Sequence, residues 1–297
     1  MLSYTVYSEG GGVGKSTLAY NLAKAHARAG LRVLIIPLDP QDGGLSRLAG
    51  VDEEREDMNK DHLVRHLVER QKGPIEDLIR TPEPNIDVIP EHDVLERLDE
   101  ALNDEENSRG NLGESFPRHT QLKRVIRENE LYKDYDVLIC DPPATSGPHL
   151  YNAIAATGNL VLPIEPSEKG KASITGLKKV VDNLSRELEM DIRVLAAIPN
   201  EFSGTNDQTE IIEEVEELGY DTPEVIGVRS SLFEGSWRQH CSAFNYLRDH
   251  RSRQRDYEIE TLAQLDRIAR HIETKSGIEA PDPPEPGTLK EPMEVSE

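Results

Sequence analysis

The stretch Glu9-Gly10-Gly11-Gly12-Val13-Gly14-Lys15-Ser16-Thr17 joins a strand-like segment at about residues 3–8 to a run in which Leu18, Leu22, Ala25 and Ala29 recur at helical spacing and stop at Gly30. A glycine-rich turn between a strand and a helix lets backbone N–H groups curl around phosphate oxygens, and the helix dipole adds to the attraction. In such a loop Gly11, Gly12, Val13 and Gly14 form the cradle and Lys15 reaches the β- and γ-phosphates. The Ser16 hydroxyl ligates Mg²⁺, and Thr17 stands near the α-phosphate. The pattern GxxxxGK[ST] is met except at its first glycine, where Glu9 stands.

Outward from the loop, Val33-Leu-Ile-Ile36 has the length and continuous apolarity of a buried parallel strand, which completes a βαβ unit. Further strand-like runs are read at Ile86–Ile89, Val137–Cys140, Leu160–Ile164, Ile192–Ile198 and Val225–Val228, with amphipathic helical stretches between them such as Leu177–Leu184 and Ile211–Leu218. This alternation predicts an α/β fold, a doubly wound, mostly parallel sheet flanked by helices. One domain is expected over residues 1–272, with a charged, mainly helical, peripheral elaboration at about 52–133. Ile259, Leu262, Leu265, Ile268 and Ile272 mark its last amphipathic helix. Residues 273–297 are rich in Pro and Glu and lack periodicity, and are expected to form a disordered acidic tail.

Among 297 residues, 34 Lys and Arg stand against 56 Asp and Glu, a formal charge of −22 that excludes a generally basic nucleic-acid coat. Acids are spread over every helix-like segment, and Lys is scarcer than Arg, a composition expected of a halophile. Salt at molar levels there screens charge within about 3 Å. No apolar run approaches the roughly 18 residues that would span a bilayer, and Met1 leads at once into strand-like Tyr4-Thr5-Val6-Tyr7, so a cytoplasmic location is expected. Cys140 and Cys241 have no metal or redox spacing. The histidines are scattered, and His62 with His66 is read as an exposed helix face rather than a metal site.

Three ordered motifs carry a family resemblance: Gly11-Gly-Val-Gly-Lys-Ser-Thr17, Leu38-Asp39-Pro40-Gln41, and Tyr135-Asp136-Val-Leu-Ile-Cys-Asp141-Pro-Pro-Ala144. The likeness extends through Asn85-Ile-Asp-Val-Ile-Pro90 and Val161-Leu-Pro-Ile-Glu165 and covers roughly residues 3–272. The chain resembles the deviant-Walker P-loop ATPases that include the ParA partition ATPases and the MinD positioning ATPases. The resemblance implies ATP and Mg²⁺ as ligands and ATP hydrolysis within an ATP-dependent homodimer, slow where the chain departs from the family. It makes Lys15 and Asp39 catalytic, Asp39 orienting the attacking water with Gln41 in the same switch. Asp141 would hold Mg²⁺ through water, beside Ser16 and Asp39. Asn200 is either an adenine contact or an ordinary loop residue.

Two positions depart from that family pattern. Gly10 stands where the family carries the signature lysine that crosses to the partner subunit, and Pro37 stands where it carries an Asp near Mg²⁺. Lys169 and Lys171 are candidate substitutes for the missing cation, or residues of a solvated loop. Both departures weigh more on turnover than on ATP binding.

The resemblance leaves several functions to separate. Two exposed cysteine ligands for a bridging cluster are lacking, because Cys140 lies inside a strand-like run. The Pro-rich acidic end cannot form the basic amphipathic helix of a membrane cycle, so no membrane partner is expected. From Arg229 to Arg255 six arginines, Arg238, Arg248, Arg251 and Arg253 among them, face Glu234, Asp249 and the adjoining Asp256, a local excess of +3. Such a patch either neutralises DNA phosphates without sequence preference or is a solvated face paired with acids. Operator binding through a helix-turn-helix domain ahead of the first strand is not expected. Trp237 is read as packed rather than as a base-stacking platform. Plasmid or chromosome partition with a ParB-like or other adaptor protein is the leading expectation. The alternatives are an orphan ATPase that positions a protein complex, and a nucleotide-dependent scaffold with weak hydrolysis.

Overall fold

A computed structural model of the chain describes residues 1–41, 44–167, 179 and 181–287. Seven strands, β1 (Leu2–Val6), β2 (Val33–Pro37), β3 (Arg80–Glu83), β4 (Ile86–Val88), β5 (Val137–Asp141), β6 (Asn159–Ile164) and β7 (Arg193–Pro199), form one sheet in the order β3-β4-β2-β5-β1-β6-β7. Every pairing is parallel except β3 with β4. The chain leaves β1 for β2 on one side and returns to β6 on the other. The crevice at the C-terminal end of β1 is therefore the switch point at which doubly wound sheets bind ligands.

Period-2 alternation in the central strands divides the core. Val33, Ile35, Val137 and Ile139 pack with α1 (Lys15–Arg28) on one face, while Leu34, Ile36, Leu138 and Cys140 pack on the other. α1 ends where Gly30 turns to φ +84° and the Leu31 N–H donates to the His26 carbonyl at 3.3 Å, a closing pattern that favours glycine. The last helix (Asp256–Lys275) lies against α1, and its Leu262, Leu265, Ile268 and Ile272 complete that layer.

The segment at 52–133 does more than decorate the periphery. Its Leu63, Leu67, Leu95, Leu98, Leu102, Leu122 and Val125 supply the core of the second face, and β3 and β4 extend the sheet. Val225–Val228 is not a strand: it makes one isolated parallel bridge, Gly227 to Phe202, because it meets the chain only just past the end of β7. The expected helix at Leu177–Leu184 lies partly outside the described residues, and residues 181–187 are helical. The expected boundary at 272 falls inside the last helix. Beyond it Ile278 packs on the core and Arg270 donates to the Pro281 carbonyl at 3.0 Å.

Candidate functional site

The glycine-rich loop is closed by its two positive-φ glycines. Gly12 and Gly14 both sit at φ +80°, a backbone region that side-chain-bearing residues rarely adopt. A Cβ on Gly14 would also stand 2.8 Å from Nδ2 of Asn200. Gly14 caps α1 with no side-chain hydrogen bond, and no acid occupies the first turn. The opening N–H groups of the helix are thus left for an anion, and no acid of the helix itself competes for them.

Strand register brings the acidic residues to this loop. Pro37 pairs with Asp141, and the Leu38 N–H donates to the Asp141 carbonyl at 2.9 Å, so Asp39 lies just beyond the end of β5. Asp39 accepts the Gln41 N–H through Oδ1 at 3.0 Å. Asp141 is 1% exposed, and apart from the approach of the Ser16 hydroxyl neither carboxylate oxygen has a hydrogen-bond partner. Burial pushes its pKa up to about 7, opposed by the Ser16 hydroxyl and the Lys15 charge and reinforced by Asp39. A buried carboxylate with idle oxygens beside a serine hydroxyl is a hard-oxygen donor set that fits Mg²⁺. Among the described residues no cluster of three His, Cys, Asp or Glu could hold a metal ion. A magnesium ion here would therefore take its other ligands from phosphate oxygens and water.

Two clefts meet at the loop. One of about 450 Å³ is lined by Gly11, Lys15, Ser16, Asp39, Gln41 and His149. The other, about 270 Å³, is lined by Asn21, Asn200, Ile226, Arg229, Phe233 and Glu234. Gly12, Gly14, Thr17 and Trp237 line both. Asn200 follows β7 and donates its Nδ2–H to the Val13 carbonyl at 3.0 Å, so its amide braces the loop from the far edge of the sheet.

Sequence reasoning missed two cleft residues. Trp237 is half-buried and packs on the core as expected, yet its indole N–H reaches Thr17 Oγ1 at 2.9 Å. His149 donates through Nε2 to the Leu95 carbonyl at 2.8 Å, and burial lowers its pKa, so a neutral imidazole lines the cleft. Neither residue sits in a motif, and only the fold brings them to the loop.

The arginines do not form one free patch. Arg238 and Arg253 are exposed and make no ion pair among the described residues. Arg248 pairs with Asp249, and Arg251 pairs with Glu258 and lies over the Tyr246 ring. Lys169 and Lys171 lie outside the described residues. His62 and His66 are buried rather than exposed: His66 bonds Asp61 at 3.2 Å, and His62 stacks on His92 with ring centroids 4.4 Å apart. Their helix (Leu63–Leu67) is packed down by Leu63, Val64 and Leu67 on the second core face, which leaves the flanking histidines little exposure.

A family model described as an AAA domain matches residues 3–194. The chromosome-partitioning ATPase Soj of Thermus thermophilus is 30% identical over 194 residues, 65% of this chain and 67% of Soj. Apo McdA from Cyanothece superposes with a TM-score of 0.71 at 20% identity, covering 92% of this chain and 99% of McdA. The septum site-determining protein MinD of Pyrococcus horikoshii, solved with Mg-ADP, has a TM-score of 0.68 at 21% identity, with 93% and 97% covered. These structures share the seven-stranded, helix-flanked arrangement described above.

Proposed function

The chain belongs to the ParA/MinD-type P-loop ATPase family, and from that premise we propose that it binds ATP with Mg²⁺ across the two joined clefts and hydrolyses it slowly. The observation that carries this reading is the buried Asp141 carboxylate beside Ser16 at the mouth of the loop.

In this reading the N–H groups of residues 11–17 and the Lys15 ammonium hold the β- and γ-phosphates, and Asn200 steadies the loop next to the base. Ser16, Asp39 and Asp141 hold the metal region, directly or through water. When bound, Mg²⁺ neutralises charge that develops on the phosphate oxygens. Asp39 spends Oδ1 on the Gln41 amide and keeps Oδ2 to orient a water in line with the γ-phosphorus. That water's oxygen bonds to phosphorus as the bridging P–O bond to ADP breaks, and the released proton passes to solvent. Gly10 brings no cation and Pro37 brings no carboxylate to this arrangement, which is the physical reason for slow turnover.

The cycle we propose is one in which ATP favours a homodimer, the dimer holds DNA without sequence preference through Arg238 and Arg253, and hydrolysis releases it. Partition of a plasmid or chromosome, with a ParB-like adaptor that speeds hydrolysis, is the role this fits. A second reading, positioning of a protein complex with little use of DNA, draws support from the pairing of Arg248 and Arg251 with acids. Phosphate release from Mg-ATP by the wild type, lost in Lys15→Gln, is the expected result. Equal release by both proteins would remove the hydrolytic reading.

A further inference from the structure

We propose that Trp237 is a positioning residue for bound nucleotide, fixing the direction of the Thr17 hydroxyl proton at the waist where the two clefts join. The inference rests on the ATP-binding reading above. An indole N–H can only donate, so at 2.9 Å Thr17 Oγ1 must accept from Trp237 Nε1. Oγ1 has no second partner among the described residues, and its own proton is left to donate. Thr17 lines both clefts and belongs to the first turn of α1, where the anion-facing N–H groups lie, so that proton has a phosphate oxygen as its available acceptor. A threonine hydroxyl alone would rotate among acceptors, and the donor-only indole removes the orientations in which Oγ1 cannot accept from it.

The indole is itself held in place. It lies in the helix Ser230–Arg238 and packs on the core beside Phe233. The chain just after that helix is fastened to α1, because the Ala243 N–H donates to Asn21 Oδ1 at 2.8 Å and Asn21 Nδ2 donates to the Thr17 carbonyl at 2.8 Å. Thr17 is therefore held from its main chain by Asn21 and from its side chain by Trp237. The contact should act on the α-phosphate end that ATP and ADP share, not on the γ-phosphate.

The test is calorimetric titration of ATP and ADP into wild type, Trp237→Phe, Thr17→Ala, the Trp237→Phe/Thr17→Ala double variant, and Thr17→Ser with and without Trp237→Phe. The phenylalanine keeps an aromatic ring against the core and loses the N–H donor, and the Thr17→Ala background separates the donor from the lost ring volume. Trp237→Phe is expected to weaken ATP and ADP by the same factor, about three- to tenfold, the scale of one oriented hydrogen bond. The same change in a Thr17→Ala background should cost nothing more, and Thr17→Ser should restore the sensitivity. Wild-type affinity in Trp237→Phe, or losses that add in the double variant, would overturn the positioning role while leaving ATP binding intact. A wild type that binds neither nucleotide would instead overturn the ATP-binding reading and this inference with it.

Discussion

Arg55 donates through Nη2 to the carbonyl oxygen of Pro40 at 2.6 Å, tying a buried guanidinium to the residue that follows Asp39. The same guanidinium pairs with Asp93 through Nε at 2.7 Å, so the Asp39–Gln41 turn is tied to the short helix that starts at Asp93. If Asp39 orients the attacking water, releasing this anchor misplaces the water more than it weakens ATP. Arg55→Ala is expected to lower kcat by about tenfold or more with ATP affinity changed less than threefold, since small misplacements at a reacting centre are costly. Single-turnover hydrolysis beside equilibrium nucleotide binding checks this, and an affinity loss as large as the rate loss would contradict it.

Asp141 poses a different balance. Its carboxylate is buried with only the Ser16 hydroxyl and the Lys15 charge to offset it, so the free protein carries a cost that a bound cation would relieve. Asp141→Asn is expected to abolish Mg²⁺-dependent hydrolysis while leaving the nucleotide-free protein as stable as the wild type or more so at pH 8. Thermal unfolding and phosphate release from the same preparation would show this, and a strongly destabilised variant would speak against a carboxylate kept idle for a metal.

Glu91 makes stability depend on pH. It is 1% exposed and accepts the N–H groups of Leu45 and Ser46 at 2.9 and 2.8 Å, and burial pushes its pKa from 4.5 up to about 8. From pH 7 up to about 8 the native protein therefore still holds a proton that the unfolded chain has already lost, and stability falls as pH rises until that proton is gone. Asp141, raised to about 7, adds to the slope at the lower end of this window. Histidines whose pKa is lowered by burial, such as His62 at about 4, act with opposite sign but are neutral in both states above pH 7. The melting temperature of the nucleotide-free wild type should decline across this window, and Glu91→Gln should flatten the decline. Parallel curves for the two proteins would refute the assignment.

The arginine segment separates into structural and free members. Arg251 faces Glu258, a carboxylate 1% exposed, and removing the cation leaves that charge buried and alone. Arg251→Glu is expected to cost about 3–5 kcal/mol of stability. Exposed Arg238→Glu and Arg253→Glu should each stay within about 0.5 kcal/mol of the wild type. Urea unfolding of the three variants decides between this division and a uniform surface patch.

What could be read without coordinates was what lies close together in the chain. The loop at 9–17, the helix behind it and the apolar strand ending at Asp141 are contiguous, and their types follow from spacing alone. Trp237 meets Thr17 across 220 positions, and Arg55 reaches Pro40 from a segment that reads only as charged and helical. No periodicity encodes such meetings. The misreading of Val225–Val228 has a local cause, since a short apolar run just past the end of β7 looks like a strand whether or not a neighbour pairs with it. The same holds for charge: a count of six arginines cannot show that Arg248 and Arg251 are already engaged.

The central claim is a nucleotide-gated grip on DNA, and its most direct test is binding to nonspecific duplex DNA in potassium chloride. ATP, ADP and no nucleotide are compared for the wild type and for Arg238→Glu/Arg253→Glu. The account predicts binding with ATP alone, weakened by rising salt and lost in the variant. DNA ignored under every nucleotide and salt condition by a protein that still binds ATP would contradict it.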